Sequence, residues 1–328
     1  MGRVDVEKKT VKLDAWDYKI LNHLAMDSRA SYNEIGHKAL ISPDTVRYRV
    51  KRMKEQGVIE RFIPDVAFRL FDGFKFSLFI ELEETEQEEE VIDFLQKEPH
   101  ILSIIKYTDR YDLEVVIIAR NVIEYDCIVN RIMSNYSHII DDVVHFQQIE
   151  SYKSAFLPGV TRPKSKKKEE IKCDKTDIYI LKLLNEDARM STYKIAEKLG
   201  VSIDTVLYRI KKMEGTVISR FTSLINFSAL GHSWYTVLIN LTSISSKKGK
   251  EFEEYVRNIP GVIRCVRGIG PWDMIIYIVA KNQAEYHGYI NQLRKRFRGI
   301  IKDYDTLPAY KELKFEEFDA FLYDCVSK

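Results

Sequence analysis

The chemistry open to this chain is concentrated in two short runs of basic and aromatic residues. In the first, from Ser42 to Gly57, Arg47, Arg49 and Arg52 supply guanidinium groups. Lys51 and Lys54 supply ammonium groups and Tyr48 a phenol, with Asp44 and Thr45 beside them. Cations so grouped neutralise phosphates and release counterions, while arginine and polar side chains reach base edges in a DNA groove. A basic face is also what an ordinary solvated helix offers, so the residue types alone leave both readings open.

The spacing calls for a helix to carry them. Ser42 suits the N-cap, Pro43 the first helical position and Gly57 a left-handed stop. Val46, Val50 and Met53 fall on one narrow face, which must be the buried one. Asp44, Tyr48, Lys51 and Arg52 point away from it, with Arg47, Arg49 and Lys54 on the flanks. Upstream, residues 13–26 form an amphipathic pattern with Leu13, Trp16, Ile20, Leu21 and Leu24 inward. A short turn follows, and Ser31 caps a second helix that packs through Ile35 and Ala39. Three short helices, the last two joined by a brief turn, predict a helix-turn-helix unit whose final helix enters the groove. Val58 to Phe62 is β-rich and leads out as a strand.

The chain then repeats itself. Asp14, Asp17, Ile20, Leu21, Leu24, Asp27, Arg29, Ser31 and Ile35 return as Asp174, Asp177, Ile180, Leu181, Leu184, Asp187, Arg189, Ser191 and Ile195, at a constant offset of 160 residues. The second basic run offers Ser202, Asp204, Thr205, Tyr208, Arg209, Lys211 and Lys212. Leu207 stands where Arg47 stood. Such matching marks a tandem duplication. The candidate DNA-contacting set is therefore Ser42, Asp44, Thr45, Arg47, Tyr48, Arg49, Lys51 and Arg52, with the seven residues of the second run. Tyr48, Arg47, Lys51, Tyr208 and Lys211 are expected in the groove, and Arg49, Arg52, Arg209 and Lys212 nearer phosphate.

The second part of each copy reads β-α-β-β-α-β. Phe74, Phe76, Leu78, Ile80 and Leu82 alternate as in a half-buried strand, and the acidic stretch 86–90 opens a helix running to about Lys97. Strands over 101–107 and 113–119, a helix over 123–135 and a strand from 139 to about 152 complete it. Copy two repeats the order from Tyr235. The fold class is α+β: two winged or three-helix helix-turn-helix domains, each followed by a ferredoxin-like module. The boundaries expected are a head over 1–64, a module over 65–157, a linker over 158–172, a second head over 173–223 and a second module over 224–328. The linker stretch from Pro158 to Glu170 is polar and basic, with Lys164 to Lys168 available to backbone phosphate or simply solvated. The tail from Phe315 to Tyr323 is aromatic and acidic, and suits either a strand or a helix.

A net charge of +2 excludes a general polyelectrolyte binder. Four cysteines without a C-x-x-C pair point to reduced thiols and away from a zinc ribbon. The absence of a long apolar run or signal core fits a cytoplasmic protein without membrane contact. The seven histidines have no ligand or triad spacing, and His138 and His145 flank an apolar strand. Neither metal, cofactor nor catalysis is expected.

The motifs Leu13-Asp-x-x-Asp17-x-x-Ile-Leu21, Asp27-x-Arg29-x-Ser31, the Ser42–Ile59 stretch and Gly270-x-x-Asp273 together resemble the Lrp/AsnC (leucine-responsive, or feast/famine) transcription regulators. The resemblance covers nearly the whole chain, twice, although members usually carry one unit. It implies sequence-specific binding of double-stranded DNA. It also implies RAM-type modules that pair with one another, here within the chain as a pseudo-dimer, with further homo-oligomerisation. A small effector, often an amino acid, is implied near the loop between the second and third module strands. In copy two that loop offers Gly268, Gly270 and Asp273: glycines for close approach or positive φ toward a carboxylate, and an acid for an ammonium. Copy one has Asp109 in place of Gly270, so a sensing site is expected in the second copy, against the alternative that both loops are plain turns. Two other classes compete. One is a sirohaem decarboxylase on the same architecture, disfavoured by Tyr111-Asp112-Leu113-Glu114 and Trp272-Asp273-Met274-Ile275. The other is an architectural protein that wraps DNA without reading it.

Overall fold

The computed structural model describes residues 2–71, 73–83, 87–160, 172–242 and 246–316. Copy one runs α1 (Ala15–Met26), α2 (Tyr32–Ala39), α3 (Pro43–Glu55), β1 (Ile59–Val66), β2 (Phe74–Leu82), α4 (Glu88–Lys97), β3 (Ile101–Tyr107), β4 (Leu113–Ala119), α5 (Val122–Tyr136) and β5 (Ile140–Ser154). Copy two repeats it as α6 (Lys175–Glu186), α7 (Thr192–Leu199), α8 (Ile203–Met213), β6 (Ile218–Ile225), β7 (Ser233–Leu241), α9 (Ser246–Asn258), β8 (Val262–Ile269), β9 (Met274–Ala280), α10 (Gln283–Arg296) and β10 (Ile301–Phe315). The basic linker stretch 161–171, Glu86 of the acidic run and the tail beyond Glu316 lie outside the described residues.

The elements gather into two units, and each draws on both copies. The unit containing Val11–Gly73 and Pro163–Asn226 holds the two heads. Its helices start where their caps dictate. Asp14 and Asp174 close capping boxes with Asp17 and Asp177, while Ser31, Ser42, Ser191 and Ser202 each accept a backbone N–H from the first turn. Trp16, expected inward, is 45% exposed, and Asp17 takes the buried place instead. The helix begins one residue after Asp14, which fixes Asp17 at the position whose side chain turns back onto the cap, and Trp16 is left outside. Gly57 takes the left-handed φ of +65° that ends α3. Strands β1 and β6 pair antiparallel, from Ile59 opposite Ile225 to Val66 opposite Ile218. Each head is closed by the other copy's strand: the Ser28 N–H donates to Phe221 O (3.0 Å) and the Ala188 N–H to Phe62 O (2.9 Å).

The other unit, built on Phe74–Arg162 and Phe227–Phe315, also contains the first ten residues. Each module orders its strands as a ferredoxin-like sheet, β3-β4-β2-β5 and β8-β9-β7-β10. The two sheets join edge to edge, β5 with β8 and β10 with β3, into a closed barrel that leaves no free edge. The alternation along β2 was expected to mark a half-buried strand, but both of its faces are covered. Phe76, Leu78 and Ile80 pack under the helices of their own module, while Phe79 faces the barrel interior with Tyr107, Trp234, Tyr277 and others. Closure supplies the second cover. It also explains why β4 and β9 are buried along their whole length, apolar throughout in β9 and in β4 apart from Glu114, which the two-residue period alone does not require.

Among the described residues that interior holds charged groups, the Arg3–Glu312 ion pair and Glu114. Glu114, 0% exposed, accepts hydrogen bonds from Ser77 Oγ (2.9 Å), Tyr107 OH (2.8 Å) and Tyr277 OH (2.6 Å). Burial, reinforced by the neighbouring carboxylate, pushes both phenols well above their ordinary pKa, so they remain donors. Ile275 occupies the matching position of copy two.

Candidate functional site

Helices α3 and α8 present the two basic runs. Val46, Val50 and Met53, and likewise Val206, Ile210 and Met213, are buried against their own heads. This turns Asp44, Arg47, Tyr48 and Lys51 outward in copy one, and Asp204, Leu207, Tyr208, Lys211 and Lys212 outward in copy two. Tyr48 is 66% and Tyr208 70% exposed, a degree that packing does not call for in an aromatic ring. Ser42 and Thr45 sit at the start of α3 and share a hydrogen bond (2.8 Å), with the Thr45 N–H also donating to Ser42 Oγ (3.1 Å). Ser202 and Thr205 do the same. These four side chains hold the helix starts, and Ser42 and Ser202 remain exposed there.

The arginines expected near phosphate have another duty. Arg49 Nη1 donates to Asp14 (2.7 Å) and to buried Asp17 (2.9 Å), and Arg52 Nη2 reaches Asp17 at 2.5 Å. Arg209 spans Asp174 and Asp177 at 2.7 and 2.9 Å. The backbone N–H of Asp17 and, against some burial, the Arg49 guanidinium hold the Asp14 carboxyl below the usual carboxylate range. At Asp174, burial pushes upward most, but the Arg209 guanidinium together with the backbone N–H groups of Asp177 and Thr176 outweighs it and holds the carboxyl below its usual range. Arg49, Arg52 and Arg209 thus tie the last helix of each head to the first. Lys212, in Arg52's place, stays exposed. The sequence signal for this was present but nonlocal: the acids lie 32 and 35 residues before their arginines.

A second pair of arginines, Arg29 and Arg189, joins the two heads. Arg29 Nη1 donates to Ala188 O (2.5 Å) and Met190 O (3.3 Å), and Arg189 Nη1 donates to Ser28 O (2.5 Å) and Ala30 O (3.1 Å). The two side chains cross reciprocally, so the heads form a pseudo-two-fold pair within one chain. Their recurrence 160 residues apart was the available clue.

The loops expected to hold an effector are tight turns. Gly268 N–H donates to Asp273 O (3.1 Å), and the Asp273 side chain accepts from Leu241 N (2.7 Å); Asp112 does the same for Leu82 N (2.7 Å) in copy one. Neither Gly268 nor Gly270 has a positive φ. They are needed for another reason: a Cβ on Gly268 would lie 2.2 Å from Gln147 O, and one on Gly270 would lie 2.6 Å from His145 O. Strand β5 of copy one passes there, so these glycines permit the joint between modules. Trp272 is buried among Phe79, Tyr111 and Phe146. Asp109 is exposed and accepts the Arg110 N–H.

Elsewhere, His145 hydrogen-bonds the Tyr125 hydroxyl (2.7 Å) and His138 is exposed. Among the described residues no cluster of three or more His, Cys, Asp or Glu could hold a metal, the cysteines are free thiols, and no helix is long and apolar enough to cross a membrane.

Comparison with known proteins agrees with both heads and with the second module. The AsnC-type helix-turn-helix domain matches residues 13–54 and again 174–214, and the Lrp/AsnC ligand binding domain matches 235–317. The transcriptional regulator AzlB of Bacillus subtilis is 33% identical over 122 residues, 37% of this chain and 78% of that protein. An uncharacterized HTH-type transcriptional regulator of Pyrococcus furiosus is 31% identical over 129 residues, 39% of this chain and 86% of its own. One such protein therefore corresponds to one copy here. The crystal structure of the siroheme decarboxylase NirDL aligns over 95% of this chain and 98% of that one, with a TM-score of 0.62 and 14% identity, a likeness of fold. With two AsnC-type heads, a matched ligand-binding module and relatives of this identity, the chain belongs to the Lrp/AsnC family of transcriptional regulators.

Proposed function

We propose that this protein is a sequence-specific regulator that grips double-stranded DNA with α3 and α8 at once, reading two half-sites from a single chain. The observation that carries this reading is the pair of exposed Tyr-and-Lys faces, Tyr48 with Lys51 and Tyr208 with Lys211, on heads locked together by the β1–β6 ribbon and the crossed Arg29 and Arg189. A rigid pair of heads fits half-sites about one helical turn, roughly 34 Å, or a multiple apart. Edge-to-edge closure of the two modules does within one chain what two chains would do in a single-copy relative, and chains are free to associate further. Selection of bound sequences from a random DNA pool tests the reading directly: a discrete bipartite motif is expected. Enrichment of no motif, with footprints that have no fixed boundary, would favour an architectural wrapper.

The second module is the one proposed to answer a small effector of the amino-acid class, supported by the ligand-binding domain match over 235–317. Calorimetry with an amino-acid panel is expected to give one site per chain. Gly270→Asp is a poor probe of that site, because the new side chain would strike β5. Asp273→Asn is the better choice. A decarboxylase on this architecture is the competing reading, favoured by the fold likeness alone. It predicts that added haem or iron porphyrin binds with a Soret band, and no such band is expected here.

A further inference from the structure

The two recognition helices differ where base contacts are made. Arg47 in α3 has a side chain 69% exposed, within 3.9 Å of the Asp44 carboxylate and 5.9 Å from the Tyr32 ring centroid. In α8 the matching residue is Leu207, 49% exposed, and one turn earlier Ile203, 43% exposed, opens the helix where copy one has Pro43. Thr192 takes the place of Tyr32. Beside Leu207, Tyr208 and Lys211 an open cleft of about 360 Å³ remains. In copy one the Tyr32 ring occupies the corresponding position, flanked by the Arg189 (4.5 Å) and Arg47 guanidiniums. Two branched apolar side chains at i and i+4 share one face of α8 with Asp204, Tyr208 and Lys211.

Resting on the DNA-binding reading above, we infer that the second head selects thymine through its C5-methyl group, by contact with Leu207 and Ile203, at the position where the first head selects guanine through Arg47. The chemistry of the groove makes the distinction. Guanine offers O6 and N7 acceptors to a guanidinium fork, whereas an aliphatic side chain can favour only the thymine methyl. The first residues of a recognition helix are those that reach base edges. Asp204, which has lost the arginine its counterpart Asp44 has nearby, is left to accept from a cytosine or adenine amino group on the same face. About half of each apolar residue remains exposed, 49% of Leu207 and 43% of Ile203, on the face that also carries Asp204, Tyr208 and Lys211. The second half-site therefore requires thymine at a fixed place, and the whole target is an imperfect palindrome.

The test uses the full chain. Sequences are selected from a random pool with the natural protein and with Leu207→Arg, a substitution at an exposed position where copy one already carries arginine. Each thymine of the selected duplex is then replaced singly by uracil, which removes only the methyl. The expected result is one position, in one half-site, where uracil weakens binding roughly fourfold, the worth of one buried methyl-sized group. Leu207→Arg should select guanine at that position, bring the motif closer to a true palindrome and lose sensitivity to uracil there. If every thymine tolerates uracil with less than about 1.5-fold change while a motif is still selected, the methyl reading is wrong and the DNA reading stands. If no motif is selected at all, both fall.

Discussion

Arg49 separates a strut from a phosphate contact, and the two copies calibrate the difference. Its guanidinium donates to Asp14 (2.7 Å) and Asp17 (2.9 Å), and Asp17 is only 1% exposed. Arg49→Gln removes both bonds, but Arg52 still reaches Asp17 at 2.5 Å, so the buried acid keeps a cation. Charge-assisted bonds are worth about 1.5–3 kcal/mol when buried. Asp14 is 47% exposed and its share is largely screened, so the expected loss is about 1.5–2 kcal/mol in the stability of the head unit. The matching change in copy two should cost more. Arg209 is 23% exposed and holds Asp177, also 1% exposed; Lys212 makes no ion pair with Asp177 among the described residues. Arg209→Gln leaves that buried carboxylate without a cation, for which about 3 kcal/mol is expected. Urea unfolding read by circular dichroism measures both. DNA affinity measured across salt concentrations gives the complementary result. Arg49→Gln should leave the slope of log K against log salt unchanged, whereas Lys51→Ala should shallow it by about one unit without a stability cost. A shallower slope with unchanged stability for Arg49→Gln, or a smaller loss for Arg209→Gln than for Arg49→Gln, would refute the strut.

Other outcomes follow from the same geometry. Leu40 ends α2 in the left-handed region at φ +61° and is 85% exposed, while copy two has Gly200 there; Leu40→Gly should stabilise by roughly 1 kcal/mol, read as a higher urea midpoint. Asp14 and Asp174 have depressed folded pKa values, so the unfolded chain takes up protons first as pH falls. The stability they contribute is full above the unfolded value near 4, declines below it and is lost as pH falls through the lower folded value. Urea midpoints at pH 6 and pH 3.5 should show that loss, and Arg49→Gln should blunt it. Glu114→Ala deprives Tyr277 and Ser77 of a buried acceptor, while Tyr107 keeps Thr236 at 2.7 Å. A loss of about 3 kcal/mol is expected in thermal or urea unfolding, and no loss would mean that the barrel interior admits water.

The sequence alone determined what repeats and what is local. The offset of 160 residues exposed the duplication, the caps at Ser42 and Ser202 and the stop at Gly57 placed the recognition helices, and the spacing of Val46, Val50 and Met53 decided which side of α3 turns outward. Helix periodicity and capping act over a few residues, so they are written in the chain where they operate. The tertiary structure decided which basic groups are available. Whether an arginine on α3 faces solvent or an acid depends on α1, and only the packed head brings Asp17 to Arg49 and Arg52. The same holds for Gly268 and Gly270, whose missing side chains make room for β5 of the other copy, and for β2, whose second face is covered only when the barrel closes. These contacts join segments from 32 to more than a hundred residues apart, and a residue's local pattern carries no record of which distant group will lie against it.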